Sequence, residues 1–111
     1  MRPETDHNGP IVSSLAGDPD LQQLLDDFVR NLPEKASALM TVLAEGDLAT
    51  LQRLAHQLKG SAGGYGFPTI TDAARGLELT ARTTQDLEAL SKQVRELADM
   101  CCRATSIAPK G

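Results

Sequence analysis

DLATLQRLAHQLKGSAGGYG, residues 47–66, opens on Asp47 and closes on Gly66. An aspartate carboxylate accepts the free amides of a first helical turn, and glycine is the usual residue just past a helix end. Between them Leu48, Leu51, Ala55, Leu58 and Ala62 recur at three- and four-residue steps, which draws an apolar stripe down one side of a helix. The stretch therefore predicts a helix with one face turned to a core.

The same pattern continues on both sides. Upstream, Asp18-Pro19 has the form of a helix start, followed by Leu21, Leu24, Leu25, Phe28, Val29 and Leu32. Asn31 and Pro33 mark a boundary, and a second helix carries Ala36, Leu39, Met40 and Leu43 up to Gly46. Downstream, Pro68 opens a helix through Ile70, Ala73, Ala74, Leu77 and Ala81. Thr83 and Thr84 are candidate caps for a last one bearing Leu87, Leu90, Val94, Leu97 and Cys101. No segment shows convincing strand alternation. Links this short force neighbouring helices to run antiparallel. The expectation is an all-α fold, an antiparallel up-down four-helix bundle with an additional N-terminal helix. Residues 1–17, rich in Pro, Gly, Ser and charge, read as a flexible arm, with Ile11, Val12 and Leu15 able to lay its end against the body. Residues 18–104 read as the bundle and 105–111 as a C-terminal tail.

A chain of 111 residues suits one domain. Its 41% hydrophobic content is ordinary, but only 3% is aromatic, so the apolar mass is Leu, Ala, Val and Met, which favours helix packed on helix. The net charge of −4 argues against nucleic acid as a partner. No apolar run nears the ~20 residues of a membrane span. The N-terminus lacks a secretion signal's layout, so a cytoplasmic monomer is expected, and Met1 favours a free-standing chain. Adjacent Cys101 and Cys102 seldom bridge each other. They read as reduced thiols, with Cys101 facing the core.

His56 projects on the side of its helix away from the apolar stripe. Around it fall Gln52, Lys59, Gly60, Gly63 and Gly64. Each glycine inside a helix costs about 0.8–1.0 kcal/mol relative to Ala, so three together need a reason beyond a fraying end. A surface bare of side chains beside a nucleophile lets another protein's active site come close, and Lys59 places a positive charge beside the ring. Neutral imidazole is a competent nucleophile near neutral pH. His7 lies in the arm with little around it to complete a site.

The run Ala55-His56-Gln57-Leu58-Lys59-Gly60-Ser61-Ala62, followed by Gly66, Ile70, Ala74 and Leu77-Glu78, resembles the signature of histidine-containing phosphotransfer (HPt) domains. The resemblance spans roughly residues 18–104. It implies a four-helix bundle displaying a phosphorylatable histidine, His56, with Lys59 beside it and Gly60 giving access. It implies that Glu78, on the next helix, orients the ring, and that Arg82 can supply a second cation. The implied function is a phosphocarrier of a two-component phosphorelay, accepting a phosphoryl group from the aspartate of a response-regulator receiver domain, as in a hybrid histidine kinase, and passing it on. No cofactor of its own is implied, the Mg²⁺ belonging to the receiver, and no ATP-dependent kinase activity.

Other readings are weaker. Lys59-Gly60-Ser61 lacks the GxxxxGK[ST] order of a nucleotide loop. A di-metal bundle needs Glu-x-x-His pairs on core-facing helices; only Glu4 and His7 have that spacing, and Arg53 stands three before His56. The phospho-accepting domain of a chemotaxis-type histidine kinase, and a docking module that carries no phosphate, remain as alternatives.

Overall fold

The computed structural model describes residues 9–107. His7, Glu4, most of the expected arm and the last residues of the expected tail lie outside them. Four helices make up most of what is described: α1 (Gln22–Ala44), α2 (Leu48–Gly64), α3 (Pro68–Thr83) and α4 (Leu87–Arg103). The fold is all-α in class. Each helix packs on two others, α1 on α2, α2 on α3, α3 on α4 and α4 on α1, so they ring one apolar core. Leu32, Leu39, Leu51, Leu58, Ile70, Leu77, Leu90 and Leu97 meet there. All three aromatics gather at one place: Phe28 stacks on Tyr65 with ring centroids 4.5 Å apart and on Phe67 at 5.9 Å. Among the described residues no helix is long and apolar enough to cross a membrane.

The turns follow from their glycines. After α1, the amide of Gly46 donates to the Leu43 carbonyl and that of Asp47 to Val42. After α2, Gly66 donates to Gly63 and Phe67 to Ala62. Both are Schellman closures, which need a left-handed residue just past the helix; Gly46 (φ 73°) and Gly66 (φ 82°) supply it. Asp47 then caps α2 as expected, its carboxylate accepting from the Thr50 amide at 3.1 Å, and Pro68 opens α3.

Three expectations are corrected. The boundary at Asn31 and Pro33 does not exist, and the two helices placed there are one, with Pro33 inside α1. Leu25, Phe28, Leu32, Ala36 and Leu39 are all buried and keep a helical phase straight through Pro33. Proline inside a helix costs about 3 kcal/mol, whereas each large apolar side chain kept in the core contributes about 1.5–3 kcal/mol. The stripe wins, with Pro33 on the exposed side. Asp18 does not cap a helix: its side chain accepts from the Asp20 amide and its carbonyl from Leu21, so a turn precedes α1. The cap of α4 is Asp86, which accepts from the amides of Glu88 and Ala89, because α3 runs on through Thr83 and Thr84 bonds the Asp86 amide instead.

There is also a small sheet where none was expected. β1 (Ile11–Val12) pairs in parallel with β2 (Ala104–Thr105), Ile11 opposite Ala104 and Val12 opposite Thr105. The described end of the expected arm is thus tied down. Arg103 donates to the Gly9 carbonyl at 3.0 Å, Ser13 Oγ to the Tyr65 carbonyl at 2.6 Å, and the Ser14 amide to Gly66. Two-residue strands carry no alternation to read; these form because residues 11–14 and 104–105 meet beside the α2–α3 turn.

Candidate functional site

Burial of Leu51, Ala55, Leu58 and Ala62 fixes the roll of α2, and His56 is left on the opposite side with 65% of its side chain exposed. Glu78, on α3, is buried with 9% of its side chain exposed, and the nitrogens of three side chains converge on it. Its Oε2 lies 2.9 Å from His56 Nδ1, its Oε1 2.8 Å from Lys59 Nζ, and its Oε2 also 3.3 Å from the Arg82 guanidinium. A buried charge persists only when paired and hydrogen-bonded, and this one is. The Lys59 hydrogen bond holds the Glu78 carboxyl below its usual range, against the opposing effect of burial, and the His56 contact lowers it further.

An ionised carboxylate can only accept. The proton in the His56–Glu78 bond therefore sits on Nδ1, and a neutral ring then has its lone pair on Nε2. Chemically, the arrangement is an oriented, exposed nitrogen nucleophile with a carboxylate behind it, able to stabilise an imidazolium.

The glycines separate into two kinds. A Cβ on Gly60 or Gly64 would meet nothing within 4 Å, so no packing among the described residues requires either. A Cβ on Gly63 would come 3.4 Å from Thr71 Oγ1, the hydroxyl that donates to the Lys59 carbonyl at 3.2 Å. Gly63 therefore faces α3 beside the Lys59 backbone, where an added Cβ would come into contact with Thr71. Gln52 is half-buried one turn before His56, and with Ala49, Arg53, His56 and Glu78 it lines a shallow hollow beside the ring. Arg82 is more than half exposed.

The structure thus brings together His56, Lys59, Glu78 and Arg82 in one bonded cluster, with Gln52 at its edge and Gly60 and Gly64 on the open surface. Sequence reasoning passed over two neighbours. Arg53 enters the sequence reading only as the wrong partner for a metal, though its place three residues before His56 puts it on the same face. Thr71 gave no signal, because its bond to Lys59 exists only once two helices meet. Among the described residues no group of three His, Cys, Asp or Glu side chains converges as a metal site.

Comparison with known protein families gives one match, the Hpt domain, over residues 23–106, about three quarters of the chain. Searches of curated proteins and of solved structures return no match. The matched span takes in α2 to α4, all of α1 but Gln22, and every residue of the cluster around Glu78. The chain therefore belongs to the Hpt domain family, the phosphotransfer modules of two-component phosphorelays.

Proposed function

We propose that this protein is a histidine phosphocarrier in which His56 Nε2 accepts a phosphoryl group from the aspartyl phosphate of a response-regulator receiver domain and later returns it to another. The carrier unit, residues 18–104, is read as an antiparallel up-down bundle, acting as a monomer, with a hybrid histidine kinase as one source of the donor receiver. The observation that carries the reading is the bond from His56 Nδ1 to Glu78 on a surface that Gly60 leaves bare.

In the forward step the Nε2 lone pair attacks phosphorus. A P–N bond forms, the P–O bond to the donor aspartate breaks, and the electron pair leaves on that carboxylate. The ring becomes an imidazolium that keeps its Nδ1 proton, and Glu78 faces the new positive charge. Transfer to the next receiver runs the same step backward. Since phosphoryl transfer rests on positioning and charge neutralisation, such a carrier needs little machinery. The proposed roles are orientation and charge balance for Glu78, and placement of a cation beside the ring for Lys59 and Arg82. Gly60, Gly64 and Gln52 form the docking surface, with Gly63 behind it. Mg²⁺ is assigned to the receiver, and the carrier takes no cofactor and does not use ATP.

The test is transfer from a radiolabelled phospho-receiver to the wild type and to His56→Ala. Acid-labile, alkali-stable label on the wild type alone supports the reading; equal label on the variant overturns it.

A further inference from the structure

If His56 is phosphorylated, the phosphoryl group needs a cation, and the two expected from the sequence are already engaged. Lys59 Nζ is 2.8 Å from Glu78 Oε1, and Arg82 reaches Oε2 at 3.3 Å. Moving Lys59 to a phosphoryl oxygen would strip a buried carboxylate oxygen of its donor, which is costly.

Arg53 is placed differently. It stands one turn before His56 on the exposed face of α2, and it makes no ion pair among the described residues. Asp47, the acid that feels its charge, is already occupied by the Thr50 amide and hydroxyl. Helical side chains lean toward the N-terminus, so the His56 ring lies over the turn that holds Gln52 and Arg53. The hollow beside the ring is on that side. Of its lining residues, Ala49, Gln52, Arg53, His56 and Glu78, Arg53 alone bears a permanent positive charge.

We infer that Arg53 contacts the phosphoryl group on His56, an inference that rests on His56 being the acceptor. The planar guanidinium offers paired N–H donors that match two phosphoryl oxygens. Lys59 and Arg82 stay with Glu78 and keep the ring aimed, while Arg53 neutralises the group transferred.

The experiment uses phosphoramidate as a small donor, so no partner protein is needed. Nε2 attacks its phosphorus, the P–N bond of the donor breaks, and ammonia leaves with the electron pair. Mass spectrometry follows the gain of one phosphoryl group, and a ³¹P titration follows the second ionisation of the phosphohistidine. Arg53→Ala is expected to slow labelling by about threefold or more and to raise the titration midpoint by roughly half a pH unit. Arg53→Lys should recover most of the midpoint. Arg75→Ala, on the outer side of α3 and paired with Asp72, controls for general loss of charge and should leave both unchanged. An Arg53→Ala protein that matches the wild type in both readouts overturns the inference, as does an equal shift in Arg75→Ala. A wild type that takes no label, or label that persists in His56→Ala, overturns instead the assignment of His56 as acceptor.

Discussion

Glu78 Oε2 stands 2.9 Å from His56 Nδ1, while the other oxygen of the same carboxylate holds the Lys59 ammonium at 2.8 Å. One buried acid thus fixes the proton on the ring and the position of the neighbouring cation together. Orientation and charge at the exposed nitrogen depend on a single side chain.

That dependence has a pH signature. The folded carboxyl of Glu78 lies below its usual 4.5, mainly because of Lys59. Its contribution to stability is therefore fully present above the unfolded value and is lost as pH falls through the folded one. Thermal melts from about pH 7 down to about pH 3 should show a steeper loss in the wild type than in Glu78→Gln. Parallel curves would mean that the carboxylate charge does not contribute. Glu78→Gln keeps an acceptor for Nδ1 but lacks the negative charge facing the imidazolium, so transfer to His56 should slow without unfolding.

Two glycines, one inside α2 and one just past its C-terminal end, should respond in opposite directions. Gly60 is helical with open space around it, so Gly60→Ala should raise stability by about 0.8–1.0 kcal/mol. Gly60→Leu should melt no lower than the wild type yet transfer more slowly with a receiver. Gly66 is left-handed at φ 82°, and a Cβ there would lie 2.7 Å from the hydroxyls of Ser13 and Ser14. Gly66→Ala should therefore cost at least about 1–2 kcal/mol. Denaturant melts of the two variants decide both points.

Much of this was legible in the sequence because it depends on local pattern. The stripe from Leu48 to Ala62 fixed which way His56 turns, and Asp47, Gly46 and Gly66 marked their helix ends by chemistry that acts within a few residues. Pro33 on its own local cost marks a helix end, but the unbroken phase from Phe28 to Leu39 outweighs it. The strand pair and the Thr71–Lys59 bond were not legible, since each joins segments that only the folded chain brings together. Arg53 was legible by spacing, but that no ion pair holds it among the described residues required the structure.

Pro33 offers a direct check of the continuous helix. Its ring removes the hydrogen bond to the Val29 carbonyl, at an exposed site inside α1. Pro33→Ala should stabilise the protein by about 1–3 kcal/mol, the gain in the helix being partly offset by the extra freedom of the unfolded chain. A destabilised variant would argue for a real break in α1.

The two cysteines should differ in reactivity. Cys101 is buried, and burial pushes its thiol up to about 12, while Cys102 is exposed. Only a thiolate attacks a disulfide reagent readily. Ellman's reagent should titrate one thiol in the native protein and both after denaturation, and Cys102→Ser should abolish the native signal.

The parallel sense of β1 and β2 has a mechanical consequence. The chain before Ile11 departs from one end of the strand pair, and the chain after Thr105 departs from the other. Tension between these two points loads the ladder in shear, all its hydrogen bonds sharing the force, instead of peeling them one by one. Single-molecule pulling from residues 9 and 107 should show an initial rupture that vanishes when Ser13→Ala and Arg103→Ala remove the neighbouring ties to Tyr65 and Gly9. When the domain is linked to others, the strand pair would act as a latch that shields the histidine helix from strain applied through its connections.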